Sequence, residues 1–157
     1  MQQQVSDIDN LLKIISLEIT TADSMLKALQ DQQNSIVNFS GDALEVATER
    51  CNQISKKMKT IERDRIKIFE RITKGTQFEK VSSKQITFEK YLDSLDNRGG
   101  LKVRLKNTRE NLKKSIAEII KSNTVNAMLL EHSINFAEKN IKAITSNLKK
   151  KILDKTI

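Results

Sequence analysis

The chain has 157 residues, and its composition restricts the fold more than the function. It contains no proline, four glycines, one histidine, one cysteine and no tryptophan, and 31% of its residues are charged. A β-sandwich needs turn residues at short intervals, so this composition excludes one and favours long helices in a single domain. The few aromatic residues, 4% of the chain, argue against a thick globular core.

The net charge of +8 is distributed unevenly along the chain. Residues 1–50 carry three Lys/Arg and eight Asp/Glu, residues 51–100 carry twelve and seven, and residues 101–157 carry thirteen and five. We expect the acidic first third to attract the basic later segments within the fold. The remaining positive charge is compatible with three kinds of binding partner: an acidic protein, an anionic membrane surface or nucleic acid. No basic patch with interleaved aromatic residues and no helix-turn-helix pattern supports nucleic acid.

Three features predict a cytoplasmic protein. Cys51 has no second cysteine to pair with, which suits a reducing compartment. The first ten residues lack the basic and apolar regions of a signal peptide. No apolar run approaches the ~20 residues of a transmembrane helix, so we expect no membrane insertion.

Two long amphipathic helices are predicted in the first half of the chain. Apolar residues recur at alternating steps of three and four through residues 5–36 and again through 44–72, where Arg65 is the one mismatch. At the break between them, we expect Gly41 to adopt a left-handed conformation and Asp42 to cap the second helix. The two segments predict an antiparallel helical hairpin.

The last predicted helix is the longest. A short third helix carries apolar residues from Ile86 to Leu95, with Ser82 or Ser83 as its cap. From Leu101 to about residue 150 the chain then has no proline or glycine, so one helix there reaches ~75 Å, against ~50 Å for the first helix. The sequence therefore predicts an all-α fold: a long antiparallel helical hairpin, a short helix and a long C-terminal helix.

A hairpin of that length covers only part of the last helix. Uncovered apolar stripes in helical proteins usually mark a partner site. We therefore divide the single domain, 1–157, into a hairpin and bundle core at 1–120 and a binding helix at 121–157. A bend near 121–126, which would fold the tail back onto the bundle, is the alternative.

No group of residues predicts catalysis or a cofactor. One histidine, His132, and one cysteine, Cys51, cannot complete a tetrahedral metal site, and Cys51 lies on an apolar stripe as a buried structural thiol would. Gly99-Gly100 lacks the spacing of a phosphate-binding loop and is interpreted as a helix breaker. We expect no metal, no cofactor and no enzymatic activity.

Asn123 and Asn126 occupy positions of the last helix where apolar residues are expected. Polar residues in a helical interface can fix its register at some cost in stability. Two interpretations remain open. The asparagines set the register inside the bundle, or they mark the point where the covered part of the helix gives way to the binding part.

The segment 123–144 resembles the C-terminal signature of the FlgN family, N-x-x-N-x-x-L-[LI]-x-x-x-[LI] followed by an amphipathic helix. FlgN proteins are type III secretion chaperones of the bacterial flagellum. The order of helices is also similar, and the second helix carries comparable residues at Asp42, Leu44, Lys57, Ile61 and Arg63. The family's motif positions correspond here to Asn123, Asn126 and Glu131.

The resemblance implies a cytoplasmic chaperone for hook–filament junction proteins of the FlgK and FlgL type. Their C-terminal helices would dock on the last helix, which would prevent premature assembly, and the complex would be delivered to the export gate component FlhA. Many family members are near neutral or acidic, and this basic chain departs from them. The expected contact residues are Leu129, Leu130, Ile134, Phe136, Ala137, Ile141, Ile144 and Leu148.

Two further functions remain open from the sequence alone. The apolar repeats would also serve a structural coiled coil that self-associates, for example as a homodimer. A basic protein that binds nucleic acid or an anionic membrane surface is the third hypothesis.

Overall fold

A computed structural model describes residues 2–76, 85–95 and 100–155. Within these ranges the chain is almost entirely helical and contains no strand, which confirms the predicted all-α class. The expected caps at Ser82 and Ser83 and most of the break before the last helix lie outside the described residues. The helices are α1 (Gln2–Val37), α2 (Gly41–Thr73), α3 (Gln85–Ser94) and α4 (Leu101–Lys155).

Helices α1 and α2 form the predicted antiparallel hairpin. Ion pairs join the beginning of α1 to the end of α2 and the end of α1 to the beginning of α2. Each pair takes its carboxylate from α1 and its guanidinium from α2, so acidic and basic segments meet inside the fold. The three pairs are Asp7–Arg71 at 3.3 Å, Glu18–Arg65 at 2.8 Å and Asp31–Arg50 at 3.3 Å.

Helix α4 runs parallel to α1 on the side that α2 leaves free. The side chain of Asn126 bonds to the carbonyl of Leu29, and the ring of Phe136 lies 6.5 Å from that of Phe39. Both pairs are 97 residues apart in the chain, so the register between the two helices is the same at both points. Since the backbones of α2 and α4 are not in contact among the described residues, α1 is the central helix that both pack against.

The apolar core lies at the end of the molecule where α1 begins. Helix α3 closes this end, because the Phe69 ring of α2 lies 5.3 Å from Phe88 and 5.6 Å from Tyr91 of α3. All four helices therefore contribute to one buried cluster. Its members are Ile8, Leu11, Leu12, Ile15, Phe69, Ile72, Tyr91, Leu92, Leu105 and Leu112.

The turn between α1 and α2 differs from the prediction. The residue in the left-handed conformation is Phe39, at φ +52°, while Gly41 is already the first residue of α2. Ser40, not Asp42, is the N-cap, and its backbone is extended. The cause is the way α1 ends: the N–H of Phe39 donates to Ile36 and that of Ser40 donates to Ser35, a Schellman motif that requires the left-handed residue at 39.

Arg65, the mismatch in the α2 stripe, is explained by a partly buried ion pair. Its Nε lies 2.8 Å from Glu18 of α1, whose side chain is only 7% exposed. Burial raises the pKa of Glu18 above its ordinary value of 4.5, although the Arg65 guanidinium lowers it. The folded protein therefore holds the Glu18 proton more tightly than the unfolded chain. This stabilising contribution is present below pH 4.5 and is lost as the pH rises through the folded pKa.

We predict that Phe39→Gly is more stable than Phe39→Ala by about 1 kcal/mol. Both variants remove the exposed ring, but only glycine relieves the strain of the left-handed backbone. Urea unfolding of the two variants measures the difference. Equal stabilities would show that residue 39 is not held at positive φ.

We predict that Arg65→Met lowers the free energy of unfolding at pH 7 by about 3 kcal/mol, because it leaves the Glu18 carboxylate buried without its cation. The double variant Glu18→Leu/Arg65→Met recovers most of that loss. Urea unfolding at several pH values checks both points. The single-variant loss shrinks towards acidic pH as Glu18 takes up its proton, and a loss that does not change with pH would contradict this explanation.

Candidate functional site

Helix α4 is continuous through residues 121–126, so the bend considered above is absent. Its last aromatic contact with the hairpin is the pair Phe39–Phe136, at the α1–α2 turn. Residues 137–155 extend about 28 Å past this contact. We call residues 137–155 the overhang.

Most of the expected contact residues are open to solvent. Large apolar side chains from Leu130 to Leu148 are between 38% and 63% exposed, and the small Ala137 is exposed as well. Leu129 differs, because it is half-buried and follows the buried Asn126 by one helical turn. The structure thus places seven of the eight expected residues on open surface. The seven are Leu130, Ile134, Phe136, Ala137, Ile141, Ile144 and Leu148.

The exposed apolar face of α4 begins much earlier than residue 129. Ile116 and Ile120 are 40% and 62% exposed, although both lie beside the hairpin. They continue the same alternating steps of four and three residues, so one stripe runs along the helix for about 48 Å from Ile116 to Leu148. We call it the outer stripe. Its positions are Ile116, Ile120, Asn123, Ala127, Leu130, Ile134, Ala137, Ile141, Ile144 and Leu148.

The two motif asparagines have different environments. Asn126 is 3% exposed, and its Nδ2 donates to the carbonyl oxygen of Leu29 at 2.8 Å and to Oε1 of Gln32 at 3.0 Å. Gln32 in turn donates to the Thr48 hydroxyl, so one polar chain links α4, α1 and α2. Asn123 is exposed on the outer stripe. Only Asn126 therefore has the geometry of a register-setting residue.

Charged residues border the outer stripe along one edge. Helical spacing places Glu131, Glu138, Lys142 and Lys149 close together around α4, while Lys139 lies on another face. A partner would meet apolar side chains bordered by both carboxylates and ammonium groups.

Neither Cys51 nor His132, the two residues considered above for catalysis or metal binding, lies in a buried reactive site. Cys51 is half-buried on α2, not fully buried as expected, and burial raises the pKa of its thiol. His132 is exposed on α4. Among the residues that the structure describes, no group of His, Cys, Asp and Glu side chains could hold a metal ion. The described helices also include none that is long and apolar enough to cross a membrane.

The described chain is a helical hairpin that supports one long amphipathic helix with an open apolar face. This architecture is suited to a protein that binds other proteins through their helices. Comparison with protein families gives a match to the model described as FlgN protein over residues 1–153. The chain therefore belongs to the FlgN family, which consists of flagellar export chaperones that bind flagellar proteins. No curated protein and no solved structure matched the chain.

We predict that Asn126→Asp destabilises the fold by about 3 kcal/mol, because a buried carboxylate would face the Leu29 and Gln32 oxygens without a donor. Asn123→Asp adds the same charge three residues away on open surface, and we expect a change within about 0.5 kcal/mol. Thermal or urea unfolding compares the two. Similar losses in both variants would contradict the different environments described above.

Proposed function

We propose that this chaperone binds the C-terminal helices of hook–filament junction proteins of the FlgK and FlgL type through α4. The observation that carries the proposal is the overhang, a continuous helix with an exposed apolar face that no other described part of the chain covers. Membership in the FlgN family supports the class of client, meaning the flagellar protein that the chaperone binds.

The shape of this surface suits an amphipathic helix as the client. Exposed apolar residues recur with the period of a two-stranded helical contact, so a partner helix would bury them along its whole length. Burying this face on a client would cover the client's own apolar helix and prevent it from assembling early. We further propose that the complex is delivered to the export gate component FlhA in the cytoplasm.

The residues proposed to carry the contact are those expected from the sequence. Ile134, Ile141, Ile144 and Leu148 are at least half exposed, so their apolar area is available without any change in the fold. The half-buried Leu129 is proposed to support the edge of this surface.

We predict that Ile141→Asp weakens binding of a junction-protein C-terminal peptide by roughly 100-fold, which is about 2.7 kcal/mol and typical of a charge placed in an apolar interface centre. The matched control is Asn135→Asp, which adds the same charge on another face of α4. Isothermal titration with the full-length protein measures both.

We expect unchanged thermal stability in both variants, because residues 135 and 141 are exposed. Equal affinities for Ile141→Asp and Asn135→Asp would show that the client binds elsewhere. A concentration-dependent dimer that Ile141→Asp abolishes, without any client binding, would favour the self-associating coiled coil instead.

A further inference from the structure

A cleft of about 270 Å³ lies at the Ile116 end of the outer stripe, where residues of all four helices meet. Its apolar lining consists of Ile15, Phe88, Leu112 and Ile116. Because Ile116 is also the first residue of the outer stripe, the cleft and the stripe form one continuous surface. The cleft is therefore a candidate end point for whatever lies along α4.

Three cations line this cleft, namely Arg65, Arg109 and Lys113. Their carboxylate partners are Glu18, Glu89 and Glu110, and none of these three lines the cleft. The three cations thus line the cleft, while each is paired with a carboxylate that lies outside the cleft lining. Such an arrangement favours an anionic group in the cleft without a large excess of local charge.

Arg109 has unused hydrogen-bonding capacity. Its side chain is only 12% exposed, and its Nη1 lies 2.9 Å from Glu89. Its Nη2 is buried and has no acceptor among the residues that the structure describes. A buried guanidinium donor without a partner costs free energy, and an incoming carboxylate would satisfy it.

Helix α3 lies beside this cleft. Phe88 of α3 contacts Phe69 of α2, and Arg109 of α4 packs over the Phe88 ring at 5.3 Å. Helix α3 therefore bridges α2 and α4 over α1, and the cleft opens beside Phe88.

We propose that the C-terminal helix of the client lies along the outer stripe antiparallel to α4, with its terminal carboxylate in the cleft at Arg109 and Lys113. This proposal rests on the function proposed above and adds the orientation and end point of the client. The C-terminus of the client helix carries both the terminal carboxylate of the chain and the negative end of the helix dipole. Both negative charges suit the cationic cleft at the Ile116 end of the outer stripe.

The experiment uses the full-length protein and a synthetic peptide of the last 35 residues of a hook–filament junction protein from the same bacterium. The peptide is made as the free acid and as the C-terminal amide, and fluorescence anisotropy gives the dissociation constants. We expect the free acid to bind about tenfold more tightly, the effect of one charge-assisted hydrogen bond. Lys113→Met reduces this ratio to about one.

The matched control is Lys114→Met, which removes the same charge from an exposed neighbour that does not line the cleft and leaves the tenfold ratio unchanged. Tight binding of acid and amide with equal affinity overturns the orientation while the proposed function stands. A tenfold ratio that persists in Lys113→Met overturns the cleft as its end point. Failure of both peptides to bind overturns the proposed function, and the orientation with it.

Discussion

The register between α1 and α4 is the constraint on which the rest of the structure depends. The contacts Leu29–Asn126 and Phe39–Phe136 keep the same offset, so the two parallel helices start level at the core end. Since α1 has 36 residues and α4 has 55, a shared starting level forces α4 to extend beyond the hairpin. Length alone would not produce this result, because a bend or an offset register would bury the same residues.

This arrangement separates the stabilising core from the proposed binding surface along the molecule. The apolar cluster of all four helices lies at the end where α1 begins, and the overhang lies at the opposite end. Between them the α1–α4 interface becomes more polar, from Leu105 and Leu112 to Asn126. A polar residue there sets the register instead of adding apolar burial. The overhang can therefore be solvated without loss of the core.

Much of the fold could be predicted from the sequence, because helix period and length are local properties. The hairpin and the excess length of the last helix follow from them. The turn could not, since backbone hydrogen bonds at the end of α1 place Phe39, not Gly41, at positive φ. Asn123 and Asn126 lie only about 60° apart around the helix. Which of the two is buried depends on where α1 packs, and the sequence pattern does not give that position. The early start of the outer stripe at Ile116 was missed for the same reason.

Hydrogen–deuterium exchange of the full-length protein, with and without a junction-protein C-terminal peptide, tests the central claim that the uncovered face of α4 is the binding surface. The structure predicts that backbone amides of residues 137–151 exchange quickly in the free protein, because no other described helix packs against them. With peptide bound, protection rises along α4 from residue 116 to residue 148. Protection confined to α1 and α2, with α4 unchanged, would contradict the account.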